Sequence, residues 1–396
     1  MNRCTAVIGA CFGDEGKGLV TDAFCAAGRC AVVRHNGGAQ AGHTVVNGGR
    51  RFIFHQIGSG SFRGADTIWG EDFLPDLYKL GEEYESFRSI SGIIPRIFTC
   101  CDTKITLIDD VLINMALETS RGDGRHGSCG MGINEAYLRG RAGHGVDMAW
   151  LKAHTADELF RQMKEIRHDH TSARLDELGL TLSDIGEYGE LLIDDNVLRS
   201  AAEQMCVNAE LTEFIDDTQL SQYDRIVFEG AQGLLLDSDN SEYYPHVTAS
   251  RTGLDNLVKF CERHGLTLDS AVYVMRSYVT RHGAGHLPNA CPREDLGDIT
   301  PDKTNVPNPW QGGIRYAPHT SPEYLLSWIK RDLNERTPAS VGLAVTHLNE
   351  TADTVRFCSG DIPFAALRKH RLFAEIFDRF YGSYAEDLLL SAEYDK

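Results

Sequence analysis

Short apolar runs alternate along this chain with longer amphipathic stretches, and this alternation limits the folds that are open to it. Such a pattern is typical of a parallel sheet with helices on both faces. We therefore predict the α/β class, with a large, mostly parallel central sheet. The runs that we interpret as buried strands are residues 5–10, 30–34, 225–228, 271–275 and 340–346.

Two segments depart from that alternation. Residues 147–222 are charged and periodic without a strand signal, so we predict a helical insertion there. Residues 284–320 contain six prolines, which are too many for regular structure. A loop of that length inside a folded domain usually has a function.

Composition excludes several classes of protein. The chain of 396 residues has a net charge of −18, whereas a protein that coats nucleic acid or lies on a membrane surface needs a basic field. Its 11 cysteines are scattered and form no CxxC pair, which disfavours zinc and a disulfide framework and favours a reducing, cytoplasmic compartment. We find no apolar stretch of the length that a membrane span requires.

A glycine-rich turn with two carboxylates and a lysine follows the first predicted strand. Main-chain N–H groups in such a turn, at the start of a helix, bind anions. The common phosphate loop has glycine where this chain has Cys11, and Ser or Thr where it has Gly18. A tight turn with solvated charges is the alternative interpretation of the segment. Its sequence is Gly13-Asp14-Glu15-Gly16-Lys17-Gly18.

Three more predicted strand ends carry unusual polar turns, and strand carboxyl ends are where ligands collect in open α/β sheets. In the second turn, His43 follows the last glycine, which places it to act as an acid or phosphate ligand. In the third, the amide of Gln232 offers both a donor and an acceptor for a base edge. These turns cover residues 36–44, 229–233 and 280–285.

Five motifs, in the same order, resemble those of the adenylosuccinate synthetase family. They are GDEGKG at 13–18, GGAQAGHT at 37–44, FEGAQG at 228–233, YPHVT at 244–248 and TRHGAG at 280–285. The resemblance implies the P-loop-like α/β fold of that family, as a single domain over residues 1–396 with the helical insertion inside it.

The resemblance also implies a two-step ligase reaction. A carboxylate removes the N1 proton of a 6-oxopurine nucleotide while O6 attacks the γ-phosphate of a nucleoside triphosphate, and the amine of L-aspartate then displaces phosphate from C6. Asp14 would be the general base and a magnesium ligand, His43 a hydrogen-bond donor to the transferring phosphoryl group, and Lys17 an added positive charge. The Gly42 carbonyl would be the second Mg²⁺ ligand. A cytoplasmic homodimer without nucleic-acid or membrane partners is implied as well.

The same resemblance implies which residues contact the ligands. Gln232 would contact the purine, and Thr248 together with Ser128 and Cys129 would hold the nucleotide 5′-phosphate. Arg315 and Gln311 would bind aspartate. The other implied nucleotide- or phosphate-binding residues are Gly13, Glu15, Gly16, Gly18, Gln40, Ala41, Gly42, Thr44, His282 and Asn349.

Several positions depart from the family pattern. The family arginine that reaches across the dimer aligns with Gly143, and Arg139 and Arg141 are both candidates to replace it. We expect the adjacent Tyr243 and Tyr244 to pack at the edge of the sheet rather than to stack on a base.

Asn349 stands where the family has an aspartate that accepts hydrogen bonds from guanine. Because an amide offers one acceptor and one donor, Asn349 suits adenine better than guanine, so the family's preference for GTP does not carry over and ATP becomes a candidate donor. A phage branch, the 2-aminoadenylosuccinate synthetases, uses dGMP with ATP or dATP, and it typically has a smaller residue in place of Asp14.

We therefore predict inosine monophosphate (IMP) as the acceptor, with dGMP as the alternative. A catalytically quiet regulator that binds purine nucleotides is the alternative from another class. A Rossmann dehydrogenase is disfavoured, because the first turn lacks GxGxxG.

Overall fold

The computed structural model describes residues 3–122, 128, 130–301, 312–334, 336 and 338–383. These residues form strands and α-helices that we number in chain order. The strands are β1 (Arg3–Gly9), β2 (Cys30–Arg34), β3 (His43–Asn47), β4 (Arg50–Phe54), β5 (Asp66–Trp69), β6 (Ile97–Thr99), β7 (Thr212–Phe214), β8 (Arg225–Glu229), β9 (Leu268–Arg276), β10 (Val279–Arg281), β11 (Arg315–Ala317), β12 (Ser340–Thr346), β13 (Thr354–Val355), β14 (Ile362–Pro363) and β15 (Arg379–Gly382). The helices are α1 (Lys17–Phe24), α2 (Leu77–Ser91), α3 (Ile108–Ser120), α4 (Ile133–Arg139), α5 (Met148–Ala153), α6 (Ala156–Ile166), α7 (Ser172–Leu178), α8 (Glu187–Ile193), α9 (Asp195–Ala209), α10 (Asp217–Leu220), α11 (Asp255–Arg263), α12 (Pro322–Leu333), α13 (Phe364–Leu367) and α14 (Arg371–Ala374).

The central feature is one sheet of nine strands, in which every neighbouring pair is parallel. Its order is β15-β12-β9-β1-β8-β2-β5-β6-β7. A parallel sheet needs both faces covered, and β1 shows how this sequence supplies apolar side chains to each. Ala6 and Ile8 belong to the core on one face, whereas Val7 packs with Val227 and Val272 on the other. The predicted α/β class with a large parallel sheet is confirmed.

All five predicted strands are present, as β1, β2, β8, β9 and β12. The sequence does not single out the other four strands of the sheet. β5, β6, β7 and β15 contain only three or four residues each. Runs that short carry too little periodicity to be told from turns.

Residues 147–222 contain helices α5 to α10, in agreement with the predicted helical character. Thr155 begins α6 through reciprocal hydrogen bonds with Glu158, a capping box that satisfies two donors at the helix start. The expectation of no strand in this range is wrong, because β7 pairs with β6 at the edge of the sheet. One residue of β7 is buried and two are exposed, so its sequence gives no clear strand pattern. That the range is an insertion stays a prediction.

The proline-rich segment 284–320 contains one strand among its described residues. This strand, β11, pairs antiparallel with β10, and Arg315 lies opposite Arg281. Residues 302–311 lie outside the described part of the chain. None of the helices in the described ranges is both long enough and apolar enough to cross a bilayer.

Candidate active site

The carboxyl ends of the central strands open into one large cavity of about 1240 Å³. The turns after β1, β2, β8, β9 and β12 all contribute to its wall, as expected for an open α/β sheet. Ligand sites typically measure about 300–1,000 Å³, so this cavity has room for more than one ligand. The predicted site residues that line it are Gly13, Asp14, Glu15, Gly16, Lys17, Gly18, Gln40, Ala41, Gly42, His43, Thr44, Ser128, Gln232, Thr248, His282 and Asn349.

Glu15 shapes the turn after β1 from the inside. Its Oε1 accepts hydrogen bonds from the backbone N–H groups of Cys11 (2.7 Å) and Gly13 (3.2 Å), and its Oε2 lies 3.1 Å from Nζ of Lys17. Burial raises the pKa of Glu15, and the charge of Lys17 opposes that rise. Both side chains are buried, so the charge of Lys17 is already matched within the turn.

Asp14 projects from the same turn toward the cavity. Its φ of 57° is in the left-handed region, which Asp tolerates better than most residues. Its backbone carbonyl accepts a hydrogen bond from Nε of Arg276, and the next carbonyl, of Glu15, accepts one from Oγ1 of Thr346 (2.8 Å). The Asp14 side chain is half-buried and forms no ion pair within the described ranges. Its carboxylate is therefore free to meet a ligand.

His43 begins β3 and is held by a buried carboxylate that sequence reasoning did not assign to the site. Its Nδ1 lies 2.7 Å from Oε1 of Glu229, at the end of β8. The other oxygen of Glu229 accepts a hydrogen bond from the N–H of Ser59 (3.2 Å) and lies 3.7 Å from Nη1 of Arg34. The sequence does contain a signal for Glu229, namely a charged residue at the end of an apolar strand. A charged side chain is rarely buried unless it is paired.

The side chains of His43, Glu229 and Arg34 form a buried group in which each shifts the pKa of its neighbours. Burial opposes ionisation of Glu229, but His43 and the Arg34 guanidinium outweigh it and lower its pKa to about 2. Burial also lowers the pKa of His43, and Glu229 partly offsets that fall. The arrangement thus places the imidazole against an ionised carboxylate, with Nδ1 facing Glu229 and Nε2 left for a ligand.

Asn36 ties the turn after β2 to the turn after β8. Its Nδ2 donates to the carbonyl of Ala231 (3.2 Å), and its Oδ1 accepts from the N–H of the same residue (2.8 Å). Gln232 comes next, with a φ of 62°, and a Cβ added to Gly13 would lie 3.4 Å from its Oε1. Three of the four predicted turns therefore meet beside Asp14.

Ser128 lies where α3 approaches the start of α4. Its Oγ donates to Oδ1 of Asn114 (2.7 Å) and accepts from the N–H of Gly130 (3.2 Å), which fixes the turn. Cys129, its predicted companion, lies outside the described residues.

The structure distinguishes the two arginines that were candidates to replace the one missing at Gly143. Arg139 is buried and donates to both carboxylate oxygens of Asp110 and to the carbonyl of His144, so it is committed to the fold. Arg141 is exposed and lines the cavity. Arg141 is therefore the better placed of the two to meet a ligand, and its replacement of the family arginine stays a prediction.

The predicted aspartate-binding residues stay predictions. Arg315 does not line the cavity in the part of the chain that is described, and its Nη2 donates to the carbonyl of Gly283 (2.7 Å). Gln311 lies outside the described residues. Two further arginines of this region, Arg276 and Arg281, do line the cavity.

The two adjacent tyrosines have different environments. Tyr243 is buried against Phe12, which follows the central strand β1 rather than an edge strand, and its hydroxyl meets that of Tyr324 at 2.8 Å. The expectation is wrong for Tyr244, which is 76% exposed and lines the cavity near Thr248. Adjacent residues of this irregular segment point in different directions, and no periodicity in the sequence reveals which one is exposed.

The chain shows no preformed metal cluster: no group of three or more His, Cys, Asp or Glu suited to a metal occurs among the residues described. Magnesium prefers oxygen ligands and usually retains several waters or phosphate oxygens. A half-exposed carboxylate without an ion pair and a backbone carbonyl on the same cavity wall, from Asp14 and Gly42, fit that preference.

Comparison with protein families gives a match over most of the chain. The family model described as adenylosuccinate synthetase matches residues 6–303. The adenylosuccinate synthetase of Shewanella loihica is 31% identical over 314 residues, which cover 75% of this chain and 67% of that protein. The corresponding enzyme of Desulfosudis oleivorans is 30% identical over 370 residues, with coverages of 89% and 79%.

Two of the matching solved structures illustrate the shared fold. Fully ligated adenylosuccinate synthetase from Plasmodium falciparum matches with a TM-score of 0.62 and 20% identity, over 87% of this chain and 77% of that one. Succinoaminodeoxyadenylate synthetase of cyanophage S-2L, bound to dGMP and dATP as an energy donor, matches with a TM-score of 0.58 and 14% identity, over 96% and 93%.

Proposed function

Because this chain belongs to the adenylosuccinate synthetase family, whose members are ligases that form C–N bonds, we propose that it joins L-aspartate to C6 of IMP in purine biosynthesis. The proposed reaction consumes a nucleoside triphosphate and passes through a 6-phosphoryl intermediate to adenylosuccinate. The observation that carries the proposal is the meeting of Asp14, the His43–Glu229 pair and Gln232 in one cavity.

Asp14 is the general base of the proposed first step. Its carboxylate accepts the N1 proton of the purine as O6 attacks the γ-phosphorus, and nucleoside diphosphate leaves. In the second step the amine of aspartate attacks C6, phosphate leaves, and the nitrogen gives up a proton. The half-exposed Asp14 carboxylate, free of an ion pair among the described residues, supports this role.

His43 stabilises the phosphoryl group that is transferred. Since Nδ1 is bonded to Glu229, the opposite nitrogen, Nε2, is the one that would meet a phosphoryl oxygen. It donates when the ring is protonated, and the negative charges of Glu229 and of the phosphoryl group both favour that form. Lys17 lies in the turn beside Asp14 and stays paired with Glu15, so its ammonium donates within the turn.

Members of the family generally depend on Mg²⁺. We propose that the Asp14 carboxylate and the Gly42 carbonyl hold the ion together with phosphate oxygens and water. When bound, it supplies charge neutralisation for the phosphates.

The donor nucleotide depends on the end of the cavity near β12. Asn349 is exposed there and lines the wall. Its amide can accept from the adenine 6-amino group and donate to a ring nitrogen, which favours ATP over GTP. Asp14 favours IMP over dGMP, and the acceptor dGMP with ATP or dATP remains the second candidate, because the cyanophage relative of the same fold binds dGMP and dATP.

We also propose that the protein acts as a cytoplasmic homodimer. The scattered cysteines without a CxxC pair support a reducing compartment. Membership of a family whose arginine at the position of Gly143 reaches across a dimer supports the second subunit.

The proposal is tested by incubating the protein with L-aspartate and Mg²⁺ against IMP, dIMP, GMP and dGMP, each crossed with GTP, ATP and dATP. Phosphate release and the mass of the succino product are measured in every mixture. We expect the highest turnover with IMP and ATP. Turnover with dGMP alone would support the second candidate, and nucleotide binding without turnover in any mixture would support a regulatory protein.

A further inference from the structure

A chain of polar side chains, which we call the relay, connects the turn that carries Asp14 with His347 on the cavity wall. Nε of Arg276 donates to the carbonyl of Asp14, and its Nη1 donates to the phenolic oxygen of Tyr278 (3.3 Å). The Tyr278 hydroxyl donates to Oε2 of Glu350, which lies 3.2 Å from Nδ1 of His347. The relay thus joins two separate parts of the cavity wall.

The inner members of the relay are shielded from water. Arg276, Tyr278 and Glu350 are 6%, 1% and 8% exposed. Hydrogen bonds in such buried surroundings are strong, and a polar group left there without its partner costs free energy. Each side chain of the relay therefore fixes the orientation of the next. Burial opposes ionisation of Glu350, but the hydrogen bonds from His347 and Tyr278 outweigh it and lower its pKa, whereas burial raises the pKa of Tyr278. The shared proton therefore stays on the phenol.

The backbone beside the relay is also constrained. The ends of β9 and β12 are in register, with Arg276 opposite Thr346. Just beyond them, Ser277 donates from its N–H to the carbonyl of Thr346 and from its Oγ to that of His347, both at 2.9 Å. Because Thr346 in turn donates to the carbonyl of Glu15, two side chains from adjacent strands hold consecutive carbonyls of one turn.

We propose that Arg276 is a positioning residue for Asp14, and that Tyr278 and Glu350 lock its guanidinium in place. The orientation of the general base then depends on the part of the cavity wall formed by His347 and Asn349. A nucleoside triphosphate whose base contacts His347 acts on the Asp14 turn through this path. The inference rests on the proposed function, because it takes Asp14 to be the general base that the relay positions.

The variants Tyr278→Phe and Glu350→Gln break the relay without removing a cavity-lining cation. Since a misplacement of about 1 Å costs about 100-fold in rate, we expect kcat to fall roughly tenfold for these partial losses, with little change in KM for IMP. Tyr223→Phe is the matched control, because Tyr223 is also buried and its hydroxyl donates to a carboxylate, that of Asp66 (2.8 Å), away from the cavity lining. It should leave kcat unchanged.

Substitutions of Arg276 test whether the effects share one path. Arg276→Ala should lower kcat more than the other variants, and Arg276→Lys should restore part of the loss because an ammonium can still donate to the Asp14 carbonyl. The double variant with Arg276→Ala and Glu350→Gln should be no slower than Arg276→Ala alone, since coupled residues are not additive. Losses that simply multiply would overturn the proposal.

Hydrogen–deuterium exchange provides a readout that does not need activity. Peptides covering residues 11–19 should exchange faster in Tyr278→Phe and Glu350→Gln than in the wild type or in Tyr223→Phe. Unchanged exchange there overturns the relay whatever the rates do, and faster exchange with unchanged kcat overturns its positioning role. Absence of wild-type turnover would instead contradict the proposed function, while exchange would still decide whether the relay holds the turn.

Discussion

Asp14 and Glu15 are adjacent carboxylates with opposite environments, because their side chains face in different directions. Glu15 turns inward, where two backbone N–H groups and Lys17 satisfy it, whereas Asp14 reaches the cavity without an ion pair among the described residues. Residue types alone would allow either to be the base. The resemblance to a known family selected Asp14 from the sequence, and the geometry gives the physical reason for that choice.

Asp14→Asn should abolish most of the turnover while keeping nucleotide binding. The amide has the same shape but does not accept the N1 proton, and loss of a positioned general base typically costs about 10²–10⁴-fold in rate. Aspartate-dependent phosphate release and calorimetric binding of IMP measure the two effects. Asp157→Asn, at an exposed carboxylate on α6, serves as the control. Wild-type rates for Asp14→Asn would contradict the assigned role.

Glu229→Gln should lower both stability and activity. The substitution leaves the buried Arg34 guanidinium without its counter-charge, which typically costs about 3–5 kcal/mol. Because the folded pKa of Glu229 is about 2 and an unfolded Glu titrates near about 4.3, its contribution is complete above the unfolded value and is lost as the pH falls toward 2.

Urea unfolding of wild type and Glu229→Gln at pH 7 and at successively lower pH measures this contribution. The difference in unfolding free energy should be constant near neutrality and should shrink below about pH 4. A difference that does not depend on pH would show that the charge of the Glu229 carboxylate does not stabilise the fold. The pKa of His43 should also fall further in the variant, because its anionic partner is gone.

Helix α1 is positioned against the strand that carries His43, and this contact requires a glycine. A Cβ added to Gly18 would lie 2.8 Å from Cβ of His43 and 2.9 Å from Oγ of Ser59. The sequence indicates a glycine-rich turn, but it does not show that Gly18 serves the packing of a helix on a hairpin.

The strands β5, β6, β7 and β15 were missed for a related reason, since three- and four-residue strands are defined by their neighbours in the sheet.

Gly18→Ala should separate α1 from β3 and so displace His43. We expect a stability loss of about 1–3 kcal/mol, typical of overpacking, together with reduced turnover. Gly140→Ala is the matched control, because Gly140 has helical φ and no atom within 4 Å of an added Cβ. That change should be neutral or slightly stabilising. Equal effects of the two substitutions on unfolding and on turnover would contradict the packing argument.

At the scale of the whole molecule, an acidic protein presents a cavity with several cations. The net charge is −18, yet Arg141, Arg276 and Arg281 all line the cavity wall. The overall charge argues against nucleic acid as a partner, but it gives no information on local charge, which depends on which strand ends the fold brings together. The order β12-β9-β1-β8-β2 at the centre of the sheet is what gathers these side chains, and no local pattern in the sequence specifies that order.

Because the cavity wall is built from turns that follow five different strands, ligands should stabilise the protein as a unit. A ligand at 100 times its Kd adds about 2.7 kcal/mol to the unfolding free energy, and two ligands at separate subsites add their contributions. IMP and ATP with Mg²⁺ should therefore raise Tm by more than either nucleotide alone, as measured by calorimetry. Removing the metal with EDTA should cancel most of the ATP contribution, because the proposed site uses Mg²⁺ to hold the triphosphate near Asp14 and Gly42, while the IMP contribution remains. Inosine, which lacks the phosphate, is the control for the cationic wall and should shift Tm less than IMP. An ATP shift that survives EDTA in full would contradict the proposed metal site, and equal shifts from inosine and IMP would show that the phosphate is not held.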